Sequence, residues 1–69
     1  MERIRVFSSH IVSVGYDTGQ KILEVEFKDG KVYQYLGVPS QIYDQMMDSD
    51  SKGTYLHRYV RNKYKFLKV

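Results

Sequence analysis

Cysteine is absent from the 69 residues, which excludes a disulfide framework and a thiolate zinc site. Proline occurs once, at Pro39, and together with 42% hydrophobic residues this argues for a globular chain and against disorder. No apolar run approaches the roughly 18–20 residues that would span a bilayer. The opening Met1-Glu2-Arg3-Ile4-Arg5-Val6-Phe7-Ser8-Ser9 has charge but no apolar signal core. These absences predict a soluble, cytoplasmic protein with no membrane partner. Histidine is scarce: His10 and His57 are the only two. There is no His-x-x-x-His and no carboxylate cluster at ligand spacing, so neither a metal nor a cofactor is expected.

The last absence is of one sign of charge. All eight carboxylates lie at or before Asp50, whereas six of the eleven Lys and Arg residues lie after it: Lys52, Arg58, Arg61, Lys63, Lys65 and Lys68. With five cations against eight anions the first 50 residues carry −3, and the last 19 carry +6. His57 and the aromatics Tyr55, Tyr59, Tyr64 and Phe66 are threaded through this basic tail, a composition suited to meeting a polyanion.

Sixty-nine residues make a single domain, 1–69. A fold this short buries only about 60% of the surface its unfolded chain exposes, so the core is expected to be thin and oligomerisation remains open. The first half is β in character. From Ile11 to Tyr16 and from Lys21 to Lys28, β-branched and aromatic residues alternate with polar or small ones, the period of a half-buried strand. Asp17-Thr18-Gly19-Gln20 supplies the turn between them.

Asp29-Gly30, between Lys28 and Lys31, suits a two-residue type I′ hairpin. That turn would pair Phe27 with Val32, Glu26 with Tyr33, Val25 with Gln34 and Glu24 with Tyr35. One face would then carry Val12, Val14, Leu23, Val25, Phe27, Val32 and Leu36 as a core, with Gln34 as a polar intruder. The other would carry Ser13, Gly15, Glu24, Glu26, Tyr33 and Tyr35 toward solvent, with Ile11 and Ile22.

After Gly37-Val38-Pro39 the pattern becomes helical. A helix is expected from Pro39 or Ser40 to about Asp48, with Ile42, Tyr43, Met46 and Met47 at helical spacing. Asp48-Ser49-Asp50-Ser51 should end it and start another over about Lys52 to Lys63. In the second helix Leu56, Tyr59, Val60 and Tyr64 share an inward stripe, while His57, Arg58, Arg61 and Asn62 fan across the outer side. Lys65 to Val69 alternates again. The expected fold is α+β: a three-stranded antiparallel meander, two short helices packed on one face, and a short C-terminal edge strand or extended tail.

The order of several short motifs resembles a known family. Ser8-Ser9 precedes the first strand, followed by Val14-Gly15-Tyr16-Asp17 and Leu23-Glu24-Val25-Glu26-Phe27-Lys28-Asp29-Gly30. Then come Val32-Tyr33-Gln34-Tyr35, Gly37-Val38-Pro39, Ser51-Lys52-Gly53, Tyr55 and Arg61-Asn62-Lys63-Tyr64. The chain resembles the KTSC domain, a module of about this length found at the C-terminus of some lysyl-tRNA synthetases and as small proteins of bacteria and phages. The resemblance implies no settled biochemical role, but attachment to a tRNA-charging enzyme suggests RNA binding. The family's Tyr-x-Tyr pattern falls on Tyr33 and Tyr35, and its Ser-Lys-Gly segment on Ser51, Lys52 and Gly53. Where the family often has an aromatic followed by Asn, this chain has Tyr55-Leu56-His57.

The candidate site residues follow from chemistry. Ser51, Lys52 and Gly53 would place a hydroxyl, an ammonium and a bare backbone at a helix N-terminus, where an anion is attracted; equally, Ser51 would serve as an ordinary N-cap. Lys52, Arg58, Arg61, Lys63 and Lys65, with Lys68 and His57, are the candidate contacts to a nucleic-acid backbone. Tyr33 and Tyr35, about 7 Å apart on one strand face, with Tyr55, are candidates for stacking bases. In the expected register Glu24 and Glu26 lie beside Tyr33 and Tyr35 and would repel phosphates. Tyr16 and Tyr43 read as wedges at the core edge, and Met46 and Met47 as core fillers. His10, His57 and Arg61 contain the groups of a metal-free ribonuclease of the acid/base type, but no catalytic residue is expected.

The reading is a small non-enzymatic binding module that contacts RNA or single-stranded nucleic acid through its basic C-terminal helix. The alternatives are an adaptor for a protein partner, and a binder of a small anionic nucleotide at the start of the second helix.

Overall fold

Three residues, Lys28, Asp29 and Gly30, close the central hairpin and set the faces of the sheet. In the computed structural model, which describes residues 1–69, Gly30 has φ of 91° while Asp29 has negative φ. The Gly30 N–H donates to the Phe27 carbonyl at 2.9 Å and the Phe27 N–H to the Lys31 carbonyl at 2.8 Å. This is a three-residue loop, a type I turn followed by one left-handed residue. The expected type I′ turn, which needs positive φ at both Asp29 and Gly30, does not form.

The pairing is therefore one residue away from the expected register. Strands β2 (Ile11–Asp17), β3 (Ile22–Phe27) and β4 (Val32–Leu36) form the meander, and across β3 and β4 Leu23 faces Tyr35, Glu24 faces Gln34 and Val25 faces Tyr33. Because side chains alternate with period two, a one-residue slip turns every side chain of a strand over. Tyr33 and Tyr35 thus join Leu23, Val25 and Phe27 on the inner face, while Val32, Gln34 and Leu36 go out beside Glu24 and Glu26. The physical gain is polar satisfaction: Gln34 Nε2 donates to Glu24 Oε1 at 2.8 Å instead of lying unpaired in an apolar core.

A second irregularity moves another pair of residues. The register between β2 and β3 shifts between Ile11 and Ser13, so Val12 is the extra residue of a β-bulge. Ile11 faces Phe27 and is fully buried, whereas Val12, expected in the core, is only half-buried on the other side.

The sheet has five antiparallel strands in the order β1-β2-β3-β4-β5. To the three expected strands it adds β1 (Ile4–Arg5) and makes the C-terminal edge strand real as β5 (Phe66–Lys68). Helix α1 (Ser40–Asp48) matches its expected bounds, but α2 (Lys52–Tyr59) stops short of Lys63. The Val60 and Arg61 N–H groups both donate to the Leu56 carbonyl, and those of Lys63 and Tyr64 to the Val60 carbonyl. This unwinding lets the chain turn back so that the Leu36 N–H reaches the Lys65 carbonyl at 2.8 Å and β5 can pair with β4.

The core, formed by Ile11, Val14, Leu23, Val25, Tyr35, Val38, Met46, Leu56 and Val60, lies between the sheet and the two helices. Met46 fills it, and Tyr16 and Tyr43 stack at 5.0 Å along its edge, with the Tyr16 hydroxyl donating to the Val38 carbonyl. The outer face is not simply solvated. The N-terminal segment crosses Gly15 so closely that a Cβ there would lie 2.6 Å from the Glu2 carbonyl oxygen. Arg3 Nη1 meets Glu24 Oε2 at 2.8 Å, and the Ser13 hydroxyl donates to Glu26 Oε1 at 2.9 Å. No helix is long and apolar enough to cross a membrane.

Candidate binding cleft

Gly53 and His57, four residues apart, fall along one stripe of α2, about 6 Å from one to the next, and Arg61 follows in the turn after the helix. Gly53, His57 and Arg61 line a cleft of roughly 570 Å³ together with Phe27, Tyr33 and Tyr35 from the sheet. Its end is framed by Ser9 and His10 before β2 and by Lys28, Asp29 and Lys31 of the central hairpin. The volume lies within the range of about 300–1,000 Å³ usual for small-molecule sites.

Each wall is held by local bonding. The Ser8 hydroxyl accepts the backbone N–H of His10 at 3.2 Å and of Ile11 at 3.3 Å, fixing the chain as it enters β2. The Ser9 hydroxyl is 2.8 Å from His10 Nδ1, leaving Nε2 without a protein partner. Gly53 sits opposite: a Cβ there would be 3.5 Å from Ser8 Oγ and 3.9 Å from His10 Cβ. These are ordinary contact distances, so glycine keeps space open in the cleft and does not relieve a clash.

Tyr35 is only 2% exposed and forms part of the floor. Burial raises its phenol above the usual 10.0, while the nearby Arg61 guanidinium works against that rise. Tyr33 is half-buried among edge-on rings, with centroids 5.6 Å from Phe27, 6.5 Å from Tyr35 and 5.2 Å from Phe66. The permanent charges lining the cleft are Lys28, Lys31, Arg61 and the single carboxylate Asp29. Asp29 is engaged locally, since its Oδ1 accepts the Lys31 N–H at 3.0 Å. No group of three His, Asp or Glu side chains is placed to hold a metal ion.

Of the residues singled out in the sequence, Tyr33, Tyr35, Gly53 and Arg61 come together here, joined by His10 and His57. The expected opposition of Glu24 and Glu26 to the tyrosines is removed, because those carboxylates are on the other face of the sheet. His57, Arg58, Arg61 and Asn62 are all exposed, as expected; His57 and Arg61 also line the cleft, and Arg58 lies outside it. Lys63 and Lys65 border a shallow depression at the far end of α2 that Arg61 also lines.

The Ser51-Lys52-Gly53 segment is divided in the structure. Ser51 makes no side-chain capping bond, Lys52 Nζ turns back to donate to the Ser49 carbonyl at 2.9 Å, and only Gly53 reaches the cleft. Tyr55 donates its hydroxyl to Gln45 Oε1 at 2.7 Å and packs 4.7 Å from the Tyr59 ring, so it belongs to the contact between helices and not to a stacking surface with Tyr33. Phe27, Lys28 and Lys31 were not anticipated as site residues. The four-residue spacing of Gly53 and His57 was the sequence signal that puts both on one face of α2.

The KTSC domain model matches residues 7–64. An uncharacterized protein of Stutzerimonas stutzeri is 40% identical over 58 residues, covering 84% of this chain and 82% of its own length. A lysine-tRNA ligase of Trichormus variabilis is 33% identical over 58 residues, which make up 84% of this chain but 10% of the ligase. The crystal structure of a KTSC domain protein from Yersinia pestis superposes with a TM-score of 0.93 at 38% identity, covering 99% of this chain and 96% of that one. Sequence motifs, strand order and this superposition agree: the chain belongs to the KTSC domain family.

Proposed function

We propose that the domain binds single-stranded nucleic acid, RNA in particular, by taking one nucleotide into the cleft. The observation that carries this reading is that Tyr33, Tyr35, His57 and Arg61 line one cleft together with Lys28 and Lys31. A base would have the half-buried Tyr33 ring to lie against, and the adjoining phosphates would meet cations. Arg61 lines both the cleft and the depression holding Lys63 and Lys65, which gives a strand leaving the cleft a basic path. The likeness to about a tenth of a lysine-tRNA ligase, an enzyme named for an RNA, supports RNA as the ligand.

Fluorescence anisotropy with a labelled single-stranded oligonucleotide tests this. With about four phosphates neutralised, log K should fall against log salt with a slope of roughly −3. Combined Arg61→Ala and Lys31→Ala substitution should lower affinity and make that slope shallower, and Tyr33→Ala should lower affinity without changing it. No binding at low salt, or binding indifferent to all three substitutions, would refute the reading.

A further inference from the structure

The cleft holds more than a binding surface needs. His10 and His57 stand on two different elements, one before β2 and one on α2, yet both line the cleft that receives Arg61. A Cβ on Gly53 would be 3.9 Å from His10 Cβ, and His57 lies one helical turn beyond Gly53. His10 Nδ1 is occupied by the Ser9 hydroxyl at 2.8 Å. When Nδ1–H donates to that hydroxyl, Nε2 carries the free lone pair. The other charged groups around the two imidazoles are Arg61, Lys28, Lys31 and Asp29, with the phenols of Tyr33 and Tyr35 on the wall.

We infer that this cleft cleaves RNA by metal-independent transphosphorylation, a step that rests on the nucleic-acid reading above. His10 Nε2 takes the proton of a ribose 2′-hydroxyl as the 2′-oxygen bonds to phosphorus. His57, as imidazolium, gives its proton to the departing 5′-oxygen as the P–O5′ bond breaks. Arg61 stabilises the added negative charge on the phosphorane. The products are a 2′,3′-cyclic phosphate and a 5′-hydroxyl, nothing is oxidised or reduced, and solvent resets the two protons. The imidazole ring can both accept and give a proton, and the Ser9 contact holds one ring in place. The reaction needs the 2′-hydroxyl, so the substrate is RNA and not DNA.

The test uses the purified chain in excess chelator with an end-labelled single-stranded RNA and the DNA of the same sequence. The expected result is scission of the RNA into 2′,3′-cyclic phosphate and 5′-hydroxyl ends, with the DNA intact. The rate should rise and fall across a bell-shaped pH profile. His10→Ala and His57→Ala should each slow cleavage by about 100-fold or more. Both positions are exposed, so both variants should melt like the parent, and the unsubstituted chain should bind an RNA whose 2′-hydroxyls are methylated. Binding of that methylated RNA without cleavage of the unmodified strand would overturn the inference and leave the binding reading standing. Cleavage that persists in the doubly substituted protein would overturn it as a contaminating activity. Absence of binding to either strand would overturn both readings.

Discussion

Gly53 acts at the residue scale through the side chain it lacks. A methyl there would meet Ser8 and His10 at ordinary contact distances, and alanine is the better helix former by roughly 0.5–1 kcal/mol. Gly53→Ala should therefore leave the melting temperature level or slightly raised while weakening oligonucleotide binding, and Gly53→Leu should abolish binding in a folded protein. Thermal melts paired with anisotropy separate the two effects. The tyrosines give a second prediction. Burial raises the phenols of Tyr16, Tyr35 and Tyr55 above 10.0, so each holds its proton more tightly folded than unfolded. Their contribution is complete below pH 10 and is lost as pH rises through their folded values. Melting temperature should decline above about pH 10, and less steeply in Tyr35→Phe. Several residues that line the cleft were legible one by one in the sequence, Arg61 and the Tyr33/Tyr35 pair included. The placement of Lys52 was not, because a long flexible ammonium side chain has no sequence signal that tells a backbone carbonyl from a phosphate as its acceptor.

The elements themselves were legible from their periods: strands over Ile11 to Tyr16 and Lys21 to Lys28, a helix over Ser40 to Asp48, another beginning at Lys52. What failed was phase. Asp-Gly supports both a two-residue and a three-residue loop, and tyrosine tolerates either face of a sheet because it has an apolar ring and a polar tip. Gln34 was the informative residue, since the expected pairing left a buried amide without a partner. Strand β1, two residues long, is too short to show alternation. The hairpin gives this scale its prediction: Gly30→Ala places a Cβ at φ of 91° and should cost about 1–2 kcal/mol. Gly30→Asn should cost less, because asparagine enters the left-handed region more readily. Urea unfolding of the two variants measures both.

At the scale of the whole molecule, the charge division along the chain does not become two opposed surfaces. Glu24 is paired with Arg3 beneath the N-terminal segment, Asp29 lines the cleft, and the basic residues are shared between the cleft, the depression at the end of α2 and open surface. Recognition is therefore expected to depend on shape as much as on charge. A cleft of roughly 570 Å³ has room for a nucleotide unit and not for a stacked duplex, so duplex of matched sequence should compete for the site far less well than single strand. Competition anisotropy at fixed salt would show it, and equal competition would mean that binding is electrostatic alone.

The bulge at Val12 sets the location of the cleft. One unpaired residue advances the chain half a period, so that everything upstream of Ser13 is read on the opposite face from the one strict alternation would assign. It delivers Ile11 inward, and just before the strand Ser8 and His10 come within contact range of Gly53 in α2. Deleting Val12 would conserve every chemical group of the site and still dismantle it, by carrying His10 to the far side of the sheet. The position of this site is encoded by a count of residues as well as by their identities.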